Sequence, residues 1–184
     1  MRYRADITAG SLKVHESRII ADLLLRGVDT QGWKEAILSD NVLQARTEAT
    51  AVRLGRLIRK RVELMKPELW RLVRDGTGTV ATHAVLSAAV KHSPLLGDFL
   101  DLVVREQYRL FSKALSNKLW DDYLDDCRGR DQDMPVWKES TRKRLRSSVF
   151  QILAQAGYIE NTRSKRLQAV HIVSQVLGYL EKHH

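Results

Sequence analysis

The chain has little of what staples, breaks or spans a fold. It carries one cysteine, Cys127, in 184 residues. No intramolecular disulfide can form, and a reducing compartment suits such a chain. It has three prolines, Pro67, Pro94 and Pro135, so few helices need be interrupted. No stretch approaches the ~18 consecutive apolar residues of a membrane-spanning helix. The start, MRYRADITAGSLK, lacks the apolar core of a secretion signal. A cytoplasmic protein without membrane association is expected.

Catalytic signatures are also missing. There is no nucleotide-binding glycine loop, nucleophile elbow or HExxH. Asp75-Gly76-Thr77-Gly78 has two glycines but not the lysine of a phosphate loop. Trp120–Asp126 reads WDDYLDD; Asp121 and Asp125 lie one helical turn apart, as do Asp122 and Asp126. Paired carboxylates can hold Mg²⁺, but no strand-borne acid–lysine set accompanies them, and a solvated helix face is the better reading. His15, His83, His92 and His171 have no ligand-like spacing with one another or with Cys127. Arg128 could lower the Cys127 pKa, but no base or orienting group can be named. The expectation is a non-enzyme with no metal and no cofactor.

Acid is the charge in short supply, 22 Asp and Glu against 31 Lys and Arg, for a net charge of +9. That excess favours a polyanionic partner, although merely soluble proteins share it. With 43% hydrophobic residues and 29% charged ones, the chain should be soluble and globular with its own core.

The most informative stretch is Glu139–His171. Leu145, Val149, Ile152, Leu153 and Ala156 fall on one helical stripe. Ser140 or Thr141 can cap its start and Gly157 can end it. Arg142, Lys143, Arg144 and Arg146 crowd the first turns, where positive charge opposes the helix dipole. Two short β-like runs follow, Tyr158–Glu160 and Leu167–Ile172, around a polar turn carrying Arg163, Lys165 and Arg166. A helix with a basic start and then a basic hairpin suits a winged helix-turn-helix on DNA. The competing reading is an ordinary charged surface.

A second basic element precedes it. Trp33–Ser39 reads as a short helix, followed by a connector and a long helix over Glu48–Met65 capped by Thr47. Leu54, Leu57, Ile58, Val62 and Met65 form its core stripe. Arg46, Arg53, Arg56, Arg59 and Lys60 crowd this element, again a candidate helix-turn-helix, with an ordinary amphipathic helix as the alternative. Elsewhere Ser11 can open a first helix to about Arg26, closed by Gly27. Thr79 can open another to about His92, Pro94 one to about Ala114, and Ser116 or Asn117 one to Cys127. Residues 1–10 read as an irregular arm carrying Arg2 and Arg4. The span Leu95–Pro135 is acidic and should face away from DNA or toward a basic partner.

The expected fold is all-α, with helix-turn-helix elements and a small two-stranded wing near the C-terminus. Its consecutive regions, within one compact unit, are 1–66 with the first basic helix, 67–135 as a core with an acidic face, and 136–184 as the winged region. Residues 182–184 read as a tag remnant and carry no functional argument.

Four segments together resemble the BrxA family, a core component of the BREX (bacteriophage exclusion) phage-defence systems. They are DNVLQARTEATAVRLGRLIRKRVELM, KHSPLLGDFLDLVV, LWDDYL and VWKESTRKRLRSSVFQILAQAGYIE. The last is the most specific, and the resemblance spans roughly Ser11–Leu180. It implies a small helical non-enzymatic protein acting beside a DNA methyltransferase and ATPases, and binding double-stranded DNA through helix-turn-helix elements. A monomer binding DNA mainly through phosphates is the expectation. The alternatives are an adaptor for the methyltransferase or ATPase, and an RNA-binding, antitermination-like protein, since a looser likeness to the NusB fold attaches to the family.

Overall fold

The structure is a computed structural model that describes residues 2–7 and 11–183. These residues are all-α, and they divide into two compact units. One runs from Lys13 to His92 and takes the C-terminal segment from Ile172; the other takes Ser93–His171 with the N-terminal arm up to Leu12. The boundaries therefore differ from three consecutive segments, because both ends of the chain fold back into a unit formed elsewhere in sequence.

The first unit begins with α1, Val14–Leu25. Ser11 does not open it. Lys13 precedes the first turn in the left-handed conformation, φ 60°, and no side chain caps it. Gly27 follows the helix at φ 63°, where a Cβ is disfavoured. Helix α2 covers 30–39, one α-helical turn over Thr30–Lys34 and then a π-helical stretch over Glu35–Ser39. Asp29 caps it by accepting from the Gly32 N–H at 2.8 Å. Helix α3, Glu48–Val62, is capped as expected by Thr47, whose hydroxyl accepts from the Thr50 N–H. Gly55 lets α2 and α3 approach; a Cβ there would meet Ile37 Cδ1 at 3.2 Å. Pro67 opens α4, Pro67–Asp75, and α5 spans Gly78–His92.

Ile20, Leu23, Ile37, Leu43, Ala51, Ile58 and Val62 make one buried cluster in this unit. Burial of each large aliphatic is worth about 1.5–3 kcal/mol against exposure. The sequence reading missed the last element, α9, Ser174–His183. It packs on α4 and α5, and its Tyr179 hydroxyl accepts from the Lys66 N–H at 2.8 Å.

The second unit contains α6 over 94–109, α7 over Asn117–Arg130 and α8 over Glu139–Gln155. Ser93 and Ser116 cap the first two through their hydroxyls. The middle of α6, Phe99–Val104, is π-helical. No side chain caps α8; Ser140 and Thr141 lie inside its first turn and Lys138 holds the cap position. Its end matches the expectation. Gly157 sits at φ 80°, the Tyr158 N–H donates to the Leu153 carbonyl and the Gly157 N–H to that of Ala154, a paired closure of the last turn.

Phe99 is the centre of this core, with ring centroids 4.9 Å from Trp120, 5.2 Å from Tyr123 and 6.5 Å from Phe150. The N-terminal arm is part of the packing rather than a free strand of basic residues. Tyr3, Ile7 and Leu12 are buried, and the Arg2 guanidinium pairs with Asp98 at 2.8 Å. The Tyr3 hydroxyl also donates to Asp98, and burial with that bond pushes its phenol up to about 12.

Candidate nucleic-acid interface

Helix α6 stops at Arg109 rather than running on to Ala114, because the next residues pair with the hairpin after α8. Ala114 bridges Arg166 and Ile159 bridges Leu167, both antiparallel. Four backbone bonds set the register. Leu115 N–H donates to Lys165 O and Leu167 N–H to Lys113 O, while Glu160 N–H donates to Arg166 O and Gln168 N–H to Tyr158 O. The expected two-stranded wing is thus smaller in extent than the runs Tyr158–Glu160 and Leu167–Ile172 suggested, and it has a third segment, 113–115. The Tyr108 hydroxyl ties the base of the hairpin, donating to the Gln168 carbonyl at 2.5 Å. At the tip the Asn161 side chain accepts from the N–H groups of Arg163 and Ser164, a local bond that stands in for a backbone turn. The order is helix, short extended segment, two helices, hairpin.

The sequence-predicted basic residues of this unit separate into two groups. Arg142 and Arg146 face α7, where their Nη1 atoms donate to Asp125 at 2.9 Å and to Asp121 at 2.7 Å. The acidic span therefore does not simply face away, since two of its carboxylates cover these arginines. They also offset the charge that crowds against the dipole at the start of α8. Lys143 is exposed and, among the described residues, has a single long acidic contact, to Glu139 at 3.8 Å. Arg144 and Arg163 are exposed and have no acidic partner among the described residues. Lys165 lies back over the Phe150 ring at 5.2 Å, and Arg166 reaches Glu160 at 3.9 Å. An open groove of about 480 Å³ runs between the start of α7, α8 and the hairpin, lined by Asn117, Arg146, Ser147, Gln151, Thr162 and Lys165 above Phe150. Sequence reasoning missed the polar liners Asn117, Ser147 and Thr162 because they converge from three elements.

In the other unit, Arg46, Arg53, Arg56 and Lys60 are exposed on or before α3 without acidic partners among the described residues. Arg59 is engaged; its Nε donates to Glu63 at 2.6 Å and its guanidinium stacks 4.4 Å from the Trp33 ring centroid. Arg61 is buried, 2% exposed, and is removed from the basic face.

Asp122 accepts from Lys118, so three of the four WDDYLDD acids, Asp121, Asp122 and Asp125, face a cation, and Asp126 is exposed. Among the described residues no group of three or more His, Cys, Asp or Glu is placed to hold a metal. Arg130 rather than Arg128 reaches the Cys127 sulfur, at 3.4 Å, and burial pushes the thiol pKa up. His83 accepts from the Val173 N–H through Nδ1 at 3.2 Å, and burial lowers its pKa. Among the described residues no helix is long and apolar enough to cross a membrane.

Three comparisons agree on kinship. The BrxA family profile matches residues 1–184. A BREX protein BrxA from Paramagnetospirillum magneticum (strain ATCC 700264 / AMB-1) is 54% identical over 181 residues, 98% of this chain and 91% of the relative. A BREX protein BrxA from Escherichia coli O9:H4 (strain HS) is 30% identical over 177 residues, 96% of this chain and 83% of the relative. The crystal structure of an uncharacterized protein from Magnetospirillum magneticum is 52% identical with a TM-score of 0.91, covering 99% of this chain and 93% of that one. On the strength of a match across its whole length, the chain belongs to the BrxA family.

Proposed function

We propose that the protein is a non-enzymatic, double-stranded-DNA-binding accessory protein of a BREX phage-defence system. One observation carries the reading: the order of helix, short extended segment, two helices and hairpin in the Ser93–His171 unit, with exposed Arg144 and Arg163 on α8 and the hairpin tip. That order is the one used by winged helix-turn-helix proteins. Their second helix of the pair enters the major groove, and a hairpin beside it lies on the backbone. The groove between α7, α8 and the hairpin adds polar side chains and Lys165 to the same face. Most contacts would go to phosphates, which position without reading sequence. Gln151 in the groove is the side chain best suited to read adenine.

Helix α3 supports a second element, since Arg53, Arg56 and Lys60 share its exposed side with Arg46 before it. A protein-adaptor reading draws on Leu110 and Phe111, 62% and 92% exposed, because large apolar side chains left in water favour a partner surface.

The test is a titration of the full chain against matched duplex DNA, single-stranded DNA and duplex RNA at several salt concentrations. The expected result is preference for duplex DNA, with log K falling by about 0.9 per log salt for each neutralised phosphate. Absence of duplex binding removes the DNA reading and leaves the adaptor; preference for RNA moves the function to the antitermination-like alternative.

A further inference from the structure

The seam between α7 and α8 is a strip of alternating charge at the border of the groove. Arg146 lines the groove and gives its Nη1 to Asp121. Arg142 gives Nη1 to Asp125, and its Nη2 reaches the Asp121 carbonyl at 3.4 Å. Both arginine side chains are only 22% exposed, so they lie along the seam instead of projecting into water. The carboxylates remain accessible, 36% exposed at Asp121 and 64% at Asp125. The Lys143 contact on the same helix differs, being longer and exposed at both ends.

A phosphate arriving at this seam meets guanidinium groups that are partly taken. Each still has free donors, since a guanidinium carries five N–H groups. To use them the phosphate must displace a carboxylate or sit beside it, and two neighbouring anions repel. The carboxylate is always present, held one helix away, whereas the phosphate must be brought from solution.

Resting on the DNA reading above, we infer that Asp121 and Asp125 are affinity-setting residues that compete with DNA phosphates for Arg142 and Arg146. They hold the sequence-independent attraction of α8 below what its four basic residues could deliver. Contacts from base-facing groups are not damped in this way, so the pairs favour discrimination over raw affinity. They act through the arginines and are positioning residues.

The experiment is an equilibrium titration of a random-sequence fluorescent duplex, from 50 to 200 mM salt, with the full-length Asp121→Asn/Asp125→Asn variant. Asparagine keeps the size and a hydrogen-bonding oxygen while removing the charge. Affinity should rise by about tenfold or more at 50 mM salt. The log K against log salt slope should steepen by about 0.9 for each freed arginine, so the gain shrinks about tenfold by 200 mM. Two controls isolate the mechanism. Asp101→Asn removes one carboxylate charge at the Arg105 pair on α6, half the change of the double variant, and should move affinity less than about twofold. In an Arg142→Gln/Arg146→Gln background the two aspartate changes should give no gain. An unchanged slope, or an equal gain in the glutamine background, overturns the inference. Wild-type protein that binds no duplex in the same titration removes the DNA reading and this inference with it; wild-type binding without a gain removes this inference alone. If the double variant unfolds in a thermal melt, Asp125→Asn alone decides, and half the slope change is then expected.

Discussion

Replacing Arg144 and Arg163 together by alanine should weaken duplex DNA binding while leaving the fold intact. Both side chains are exposed and have no acidic partner among the described residues, so truncation strands no buried charge. They sit on α8 and at the hairpin tip, the two places the winged-helix reading puts against DNA. Treated as solvent-exposed ion pairs with phosphate, each is worth about 0.5–1 kcal/mol. The pair then carries a loss of roughly 5- to 30-fold at about 100 mM salt. Loss of two phosphate contacts should also flatten the log K against log salt slope by about 1.8. Fluorescence anisotropy of a labelled duplex at several salt concentrations reads both quantities, and a thermal melt checks folding. Affinity within twofold of wild type with the same slope would refute the placement of α8 and the hairpin on DNA. Reversal of Arg142 and Arg146 to glutamate is the poorer experiment. It would set two new acids against Asp121 and Asp125, and loss of binding could then reflect a disturbed α7–α8 seam.

Three further outcomes are expected. Arg53→Ala/Arg56→Ala should lower duplex affinity by a similar factor, and unchanged binding at matched salt would remove α3 as a second DNA element. Phe99→Ala empties the centre of the Ser93–His171 core, where Phe99 is 0% exposed; a loss of about 3–5 kcal/mol in urea unfolding is expected, and a loss under 1 kcal/mol would contradict the packing described. His83 gives a pH dependence. Its folded pKa is lowered by burial, so the unfolded chain binds the proton first as pH falls. Its contribution to stability is full above about 6.5 and is lost as pH falls from there toward the depressed folded value. The thermal midpoint of wild type should drop more between pH 7 and 5.5 than that of His83→Gln, and equal drops would rule out this histidine as the source.

Legibility in the sequence followed the range of the interaction. The α8 stripe of Leu145, Val149, Ile152 and Leu153 was readable, and all four are buried. The Thr47 cap and the Gly27 and Gly157 ends were also readable, because each depends on residues within one turn. The start of α1 was not, because Lys13 adopts a left-handed conformation while Leu12 gives its N–H to Gln155, a bond across 143 positions. Helix α9 was missed because its stability draws on Tyr179 reaching Lys66. The early stop of α6 was hidden for the same reason, the segment that bridges to it lying some fifty residues further on.

The candidate site divides along the same line. Composition and local pattern alone determined that the chain is basic, nearly all helical, and clusters cations on two helices, since charge and periodicity are properties of residue order. Whether a given cation is available to a partner was decided only by tertiary structure. Arg144 and Arg163 stay in solvent, Arg142 and Arg146 are taken by Asp125 and Asp121, Arg59 by Glu63 and Trp33, and Arg61 is buried. Some of these partners come from another helix, and the strength of an ion pair depends on distance and exposure, neither of which a one-dimensional pattern contains.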